Sequence, residues 1–166
     1  MSKIIKELNI KLIIPQCLAL IFIISGINRL YVGFHGEQFD ALMNKDWEKY
    51  ESLANYSIEF FLLYKTYWTI TSIAIGILMI TLIDWRYKFG IVNSLVVIII
   101  TFAISASGFY SSGLINRYLN FFCGLFSEGY GMAFLIGGLI ILLIGITILW
   151  ISVNLNKNTV HNKAYN

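Results

Sequence analysis

Three cations stand where apolar runs of the chain begin or end: Arg29, Lys65 and Arg117. Asn28 and Asn116 precede the two arginines, and Trp68 lies three residues beyond Lys65. Guanidinium and ammonium groups gathered at one depth can hold an anionic group, such as a lipid phosphate or a partner's carboxylate. Tyr31, Tyr64, Tyr67, Trp68, Phe109, Tyr110 and Tyr118 would wall such a site, and Glu59, Glu128 and His35 are close to it in sequence. Lys65 has two readings. It lies some 7–8 Å of helix rise inside an apolar run. It either snorkels outward along its own stem, the commoner fate, or faces inward and joins the arginines.

Other chemistries find little support. His35 and His161 both lie outside the apolar runs, so haem ligated within a membrane by this chain alone is not expected. No Cys/His spacing resembles a zinc site, no Gly-rich loop resembles a phosphate cradle, and no Ser/His/Asp set is suggested. The expectation is therefore no metal, no catalytic residue and no cofactor held by this chain alone, with a bound lipid or quinone left open. Cys17 and Cys123 read as inert structural thiols. No apolar run has an Asp or Glu at its middle, which argues against an ion-coupled pump. Gln16 and Asn93 read as hydrogen-bonding glue between helices.

The elements that position these residues are membrane-spanning. Gly131–Val153 holds twenty-three residues with no charge. At ~1.5 Å per residue it is about 34 Å long, enough for the ~30 Å hydrocarbon core. Of the 166 residues, 58% are hydrophobic and only 13% charged, half the charged share of a soluble domain. The net charge of +3 is spread over membrane-flanking segments and reads as topology, with no nucleic-acid footprint. Four spans are expected, at about 12–32, 60–83, 89–110 and 131–153, in a single membrane domain. Pro15 falls in the first turn of the first span, and Asp84–Lys88 reads as a tight turn between the second and third.

Small residues recur every seven positions: Ala19, Gly26 and Gly33; Ser94, Thr101 and Gly108; Gly131, Gly138, Gly145 and Ser152. Gly76 continues the small stripe of the second span after Thr69 and Ser72. Such stripes let membrane helices approach closely, and a seven-residue repeat gives a left-handed crossing near +20°. The expected fold is all-α, a left-handed bundle of four transmembrane helices in up-down-up-down order. Between spans 1 and 2, about 37–54 reads as one amphipathic interfacial helix through Phe39, Leu42, Met43, Trp47, Tyr50, Leu53 and Ala54. Ser111–Tyr130 reads as a second long loop, and the tail after Val153 as frayed. Lys and Arg divide seven to five in favour of the side holding both termini, which places the termini in the cytoplasm, in a bacterial inner membrane. Ser25-Gly-Ile-Asn-Arg-Leu-Tyr31 and Ser112-Gly-Leu-Ile-Asn-Arg-Tyr118 are either traces of an internal duplication or ordinary end-signals that coincide.

The stretch Leu20-Ile-Phe-Ile-Ile-Ser-Gly-Ile-Asn-Arg-Leu30 resembles the first helix of DoxX-like proteins, small four-helix bacterial membrane proteins. The acidic segment after it and the Ser111–Tyr130 loop depart from that pattern. The resemblance implies a small membrane subunit linked to redox or quinone chemistry. Aromatic loops and glycine faces in excess of what one small bundle can bury point instead to a non-catalytic accessory or assembly subunit of a larger membrane complex. That is the leading expectation. Its partners would be the bilayer and larger membrane subunits, met at an outward-facing glycine such as Gly138.

Overall fold

The computed structural model describes residues 8–53, 58–107, 113–125 and 129–163; at 58–62, 65, 105, 114–116, 119 and 157–163 it describes the backbone alone. The described residues form seven helices and are all-α: α1 (Ile10–Phe34), α2 (Gly36–Met43), α3 (Trp47–Leu53), α4 (Ile58–Tyr87), α5 (Ile91–Ala106), α6 (Gly113–Gly124) and α7 (Tyr130–Lys163). Three stretches are long and apolar enough to cross a membrane: Ile10–Phe34, Thr66–Tyr87 and Tyr130–Asn156. The apolar part of α5, Ile91–Ile104, is shorter.

The core is the seam between α1 and α7. A Cβ built on Gly26 would lie 2.7 Å from Leu142 N, one on Gly33 would lie 2.7 Å from Leu135 N, and one on Gly36 would lie 2.5 Å from Gly131 Cα. Gly145 opposes Ile23 and the Ala19 carbonyl, and Gly138 opposes Arg29, Leu30 and the Gly26 carbonyl. Position rises along α1 as it falls along α7, so the two helices are antiparallel. The missing side chains let the two backbones touch, which maximises dispersion contact where lipid offers no hydrophobic drive. Gly138 thus faces inward, against α1. The expectation that it meets a partner from the outside is corrected: α1 already fills that space.

α4 lies on another side of α1. A Cβ on Gly76 would meet side chains of α1: Leu20 Cδ2 at 2.9 Å and Ile24 Cγ1 at 3.7 Å. Leu20, Ile23 and Ile24 of α1 join Ile80 of α4, Val97 of α5 and Leu149 of α7 in one buried cluster. We call the end of the assembly that holds Ile10 and Asn156 the tail end, and the end that holds α2 and α3 the loop end.

Several boundaries differ from expectation. α1 begins at Ile10, so Pro15 is its sixth residue, outside the first turn; the carbonyl that loses its partner belongs to Lys11, which is exposed. The single interfacial helix at 37–54 is two helices, broken at Asn44–Asp46 where Lys45 takes φ 56°. Their apolar sides meet, with Ala41 and Tyr50 buried together beside Phe39 and Leu42. The loop at 111–130 contains α6, and the tail continues α7 to Lys163. The turn expected at Asp84–Lys88 starts later. Residues 84–87 are the last turn of α4, and the reversal falls on Lys88 (φ 56°), Phe89 and Gly90, whose φ of 92° favours glycine. Gly108 lies outside the described residues.

Candidate functional site

The polar residues of the long helices gather at two levels. At the tail end the centre is Asp84, 2% exposed on the last turn of α4. Its carboxylate accepts from Gln16 Nε2 of α1 at 2.6 Å and from Ser94 Oγ of α5 at 2.7 Å. Among the described residues both of its side-chain partners are neutral. A second chain of bonds runs beside the first. The Asn9 backbone N–H donates to Asn93 Oδ1 at 2.8 Å, and Asn9 Nδ2 donates to Asn156 Oδ1 at 2.8 Å. Asn93 Nδ2 returns to the Phe89 carbonyl at 2.5 Å, and Asn156 Nδ2 to the Ser152 carbonyl at 2.8 Å. Asn9 is the N-cap of α1, yet its side chain makes no cap bond and reaches α7 instead. α1, α4, α5 and α7 are all tied here, by bonds that need both partners in place.

Toward the loop end, Arg29 is 8% exposed and turned between α6 and α7. Nη2 donates to Asn120 Oδ1 of α6 at 2.7 Å, Nη1 lies 3.4 Å from the Ser25 carbonyl, and the guanidinium also bonds the Cys123 thiol. Two adjacent glycines of α7 make the space. A Cβ on Gly138 would lie 3.0 Å from Arg29 Cβ, and one on Gly137 would lie 2.6 Å from Cys123 Sγ. Burial pushes the Cys123 thiol above its ordinary value, and the neighbouring Arg29 charge pulls it partly back. Arg29 Nε and Ser25 Oγ are buried with no hydrogen-bond partner among the described residues.

The sequence-derived cluster is divided by this geometry. Asn28, one residue before Arg29 and about 100° around the helix, faces α4. Its Oδ1 lies 3.4 Å from Ser72 Oγ, while the Trp68 indole N–H donates to the Ile27 carbonyl at 3.1 Å and the ring stacks on Tyr31 at 5.7 Å. Arg117 is exposed on α6. The side chains of Lys65 and Asn116 lie outside the described residues. Arg29 and Arg117, equivalent in the Ser-Gly…Asn-Arg match, thus sit in unlike surroundings, and Ser112 of that match lies outside the described residues.

Sequence reasoning assigned no role to Asn9, Asp84, Asn120 or Asn156. A signal for two of them was present: Asn9 and Asn156 flank the two longest apolar runs at the same end. Asp84 directly follows the apolar run of α4, which made it look like the first residue of a loop. Beyond the ends of α1 and α7, an open groove of about 590 Å³ runs past Phe34, Glu37, Gln38, Asp40, Met132 and Leu135. No three His, Cys, Asp or Glu side chains among the described residues come together as a metal group would require.

The class defined by these helices is an all-α chain with three candidate membrane spans. No protein-family model, curated protein or solved structure matches it, so the eleven residues that resemble a DoxX-like first helix stand without a family match.

Proposed function

We propose that the chain is a non-catalytic accessory or assembly subunit of a larger membrane complex. In this reading α1, α4, α5 and α7 are four spans of one domain, packed left-handed and up-down-up-down. Both termini lie in the cytoplasm of a bacterial inner membrane, and α2 and α3 lie at the opposite interface. The seven-residue spacing along the α1–α7 seam supports the left-handed crossing.

The observation that carries the functional reading is the unequal cover of the long helices. The most apolar window of α1 is 56% buried within the protein, against 17% for that of Thr66–Tyr87. The open side of α4 is more than lipid-facing hydrocarbon. Tyr67, Thr71, Ala74, Leu78, Thr81 and Trp85 form one exposed stripe, aromatic at its ends, in which the small residues Thr71, Ala74 and Thr81 flank Leu78. Thr71 and Thr81 turn their hydroxyls back to the carbonyls of Tyr67 and Ile77, so the stripe is smooth and internally satisfied. Small residues of this kind let a second membrane helix approach closely, whereas lipid contact calls for nothing but apolar bulk.

The test is extraction in a mild detergent followed by native mass spectrometry, with an absorption spectrum of the same fraction. The expected result is stoichiometric migration with larger subunits, lost in Ala74→Phe while the chain remains folded. A chain that runs alone, or as a small homo-oligomer carrying a lipid or quinone mass, would overturn the proposal in favour of a DoxX-like ligand-binding protein.

A further inference from the structure

The Asp84 centre has more oxygen than its bonds use. Gln16 is 0% exposed, and its amide nitrogen is on Asp84, yet Oε1 of the same amide has no hydrogen-bond partner among the described residues. Ser152 of α7 is 1% exposed, and its hydroxyl likewise has no partner among the described residues. The antiparallel register that sets Gly33 on Leu135 and Gly26 on Leu142 puts Ser152 level with Gln16. Thr101 and Thr147 each turn their hydroxyls back to the carbonyl four residues earlier, whereas Ser152, like Ser25 at the other level, does not. Two buried, unsatisfied oxygens therefore lie at this level: Gln16 Oε1, on the amide that donates to Asp84, and Ser152 Oγ, which the α1–α7 register places across from Gln16. Two neutral donors offset only part of a full negative charge in a low-dielectric site.

We propose that this cluster binds one hard monovalent cation, of which sodium is the probe, through Asp84, Gln16 Oε1, Ser94 Oγ and Ser152 Oγ. The donor set is all oxygen, which selects hard cations over zinc or copper. It carries one negative charge, so a monovalent ion neutralises it, whereas a divalent ion would leave a net positive charge buried. Rotation of the Gln16 amide exchanges N–H for carbonyl oxygen at the same place, which fits the group to a cation with no movement of the backbone. The ion would join α1, α4, α5 and α7 at one point, so its occupancy would set how firmly the tail end is closed.

The experiment uses the full chain in detergent. Thermal unfolding and isothermal calorimetry are run with NaCl, with choline chloride at equal ionic strength as the control. Sodium that binds only the folded state raises the midpoint as its concentration rises. The expected result is saturable stabilisation by sodium and none by choline. Binding is expected to be lost in Asp84→Asn and weakened roughly tenfold in Ser152→Ala, where one ligand is removed and the charge is kept. Ser152→Ala keeps the test open if Asp84→Asn does not fold. The proposal is overturned if wild type responds to pH but not to sodium, which would make the occupant a proton. It is equally overturned if sodium and choline act alike, or if Ser152→Ala binds sodium as wild type does.

Discussion

Alanine at Gly26 should be among the most damaging single-methyl changes in this protein, and the contact geometry says by how much. A Cβ there would lie 2.7 Å from Leu142 N, 2.9 Å from Gly138 O and 2.9 Å from Leu142 Cα, all backbone atoms of α7. Ordinary contact begins at 3.4 Å, so the shortfall is about 0.7 Å and no side chain can rotate to absorb it. The helices must part by roughly that distance, and a gap of this size forfeits about a quarter to a half of each nearby dispersion contact. Overpacking of this kind costs about 1–3 kcal/mol, against a gain of ~1 kcal/mol in helix propensity. Gly76 provides an internal comparison. Its Cβ would meet side-chain atoms, Leu20 Cδ2 at 2.9 Å and Ile24 at the ordinary contact distance of 3.7 Å, and the Leu20 end can turn for about 0.5–1.5 kcal/mol, so Gly76→Ala should be close to neutral. Gly124, with nothing within 4 Å, should gain up to about 1 kcal/mol as alanine. Unfolding of the three variants in one detergent, followed by tryptophan fluorescence, gives the order directly. Gly26→Ala as stable as Gly124→Ala would refute the claim that the α1–α7 seam is a backbone-to-backbone contact.

Three further outcomes are expected. Asn120→Ala leaves Arg29 Nη2 buried without its 2.7 Å acceptor, and should loosen α6 by about 1–3 kcal/mol, seen as faster proteolysis near residue 125. Trp68→Phe removes the bond to the Ile27 carbonyl and should cost about 0.5–1.5 kcal/mol, with no change in extracted mass. Cys123, 3% exposed, should react with maleimide only after unfolding. Its thiol value is raised by folding, so the folded state holds the proton more tightly. Stability should therefore be constant below the ordinary thiol range and fall as pH rises through and above it, and Cys123→Ser should abolish that part of the fall.

What the sequence revealed was what depends on length and composition. Long uncharged runs made helices of spanning length, because hydrocarbon leaves a backbone no other way to satisfy itself. What it hid depends on tertiary partners. Asp84-Trp-Arg-Tyr-Lys88 looks like a polar turn, but the Gln16 amide and the Ser94 hydroxyl hold Asp84 inside the helix end. Two Asn-Arg pairs look alike, yet Arg29 is packed between α6 and α7 whereas Arg117 is open. Seven-residue spacing was visible along several runs; that the stripe of Gly26 meets the stripe of Gly138 was not, because one helix's periodicity says nothing of its neighbour's azimuth. The break at Lys45 was missed because amphipathic spacing continues through it, and one left-handed residue is enough to fold the two halves together.

The pairing of α1 with α7 also sets a timetable. α1 leaves the ribosome about a hundred residues before α7, at synthesis rates of roughly 5–20 residues per second. For those seconds the glycine groove of α1 has no occupant, Arg29 has neither Asn120 nor Cys123, and Asn9 has no Asn156. Whatever shields α1 meanwhile, whether lipid, the insertion machinery or another nascent chain, must yield when α7 arrives. A ribosome that stalls within α7 therefore leaves a chain with most of its spans inserted and its central seam open, the form that membrane quality control would meet.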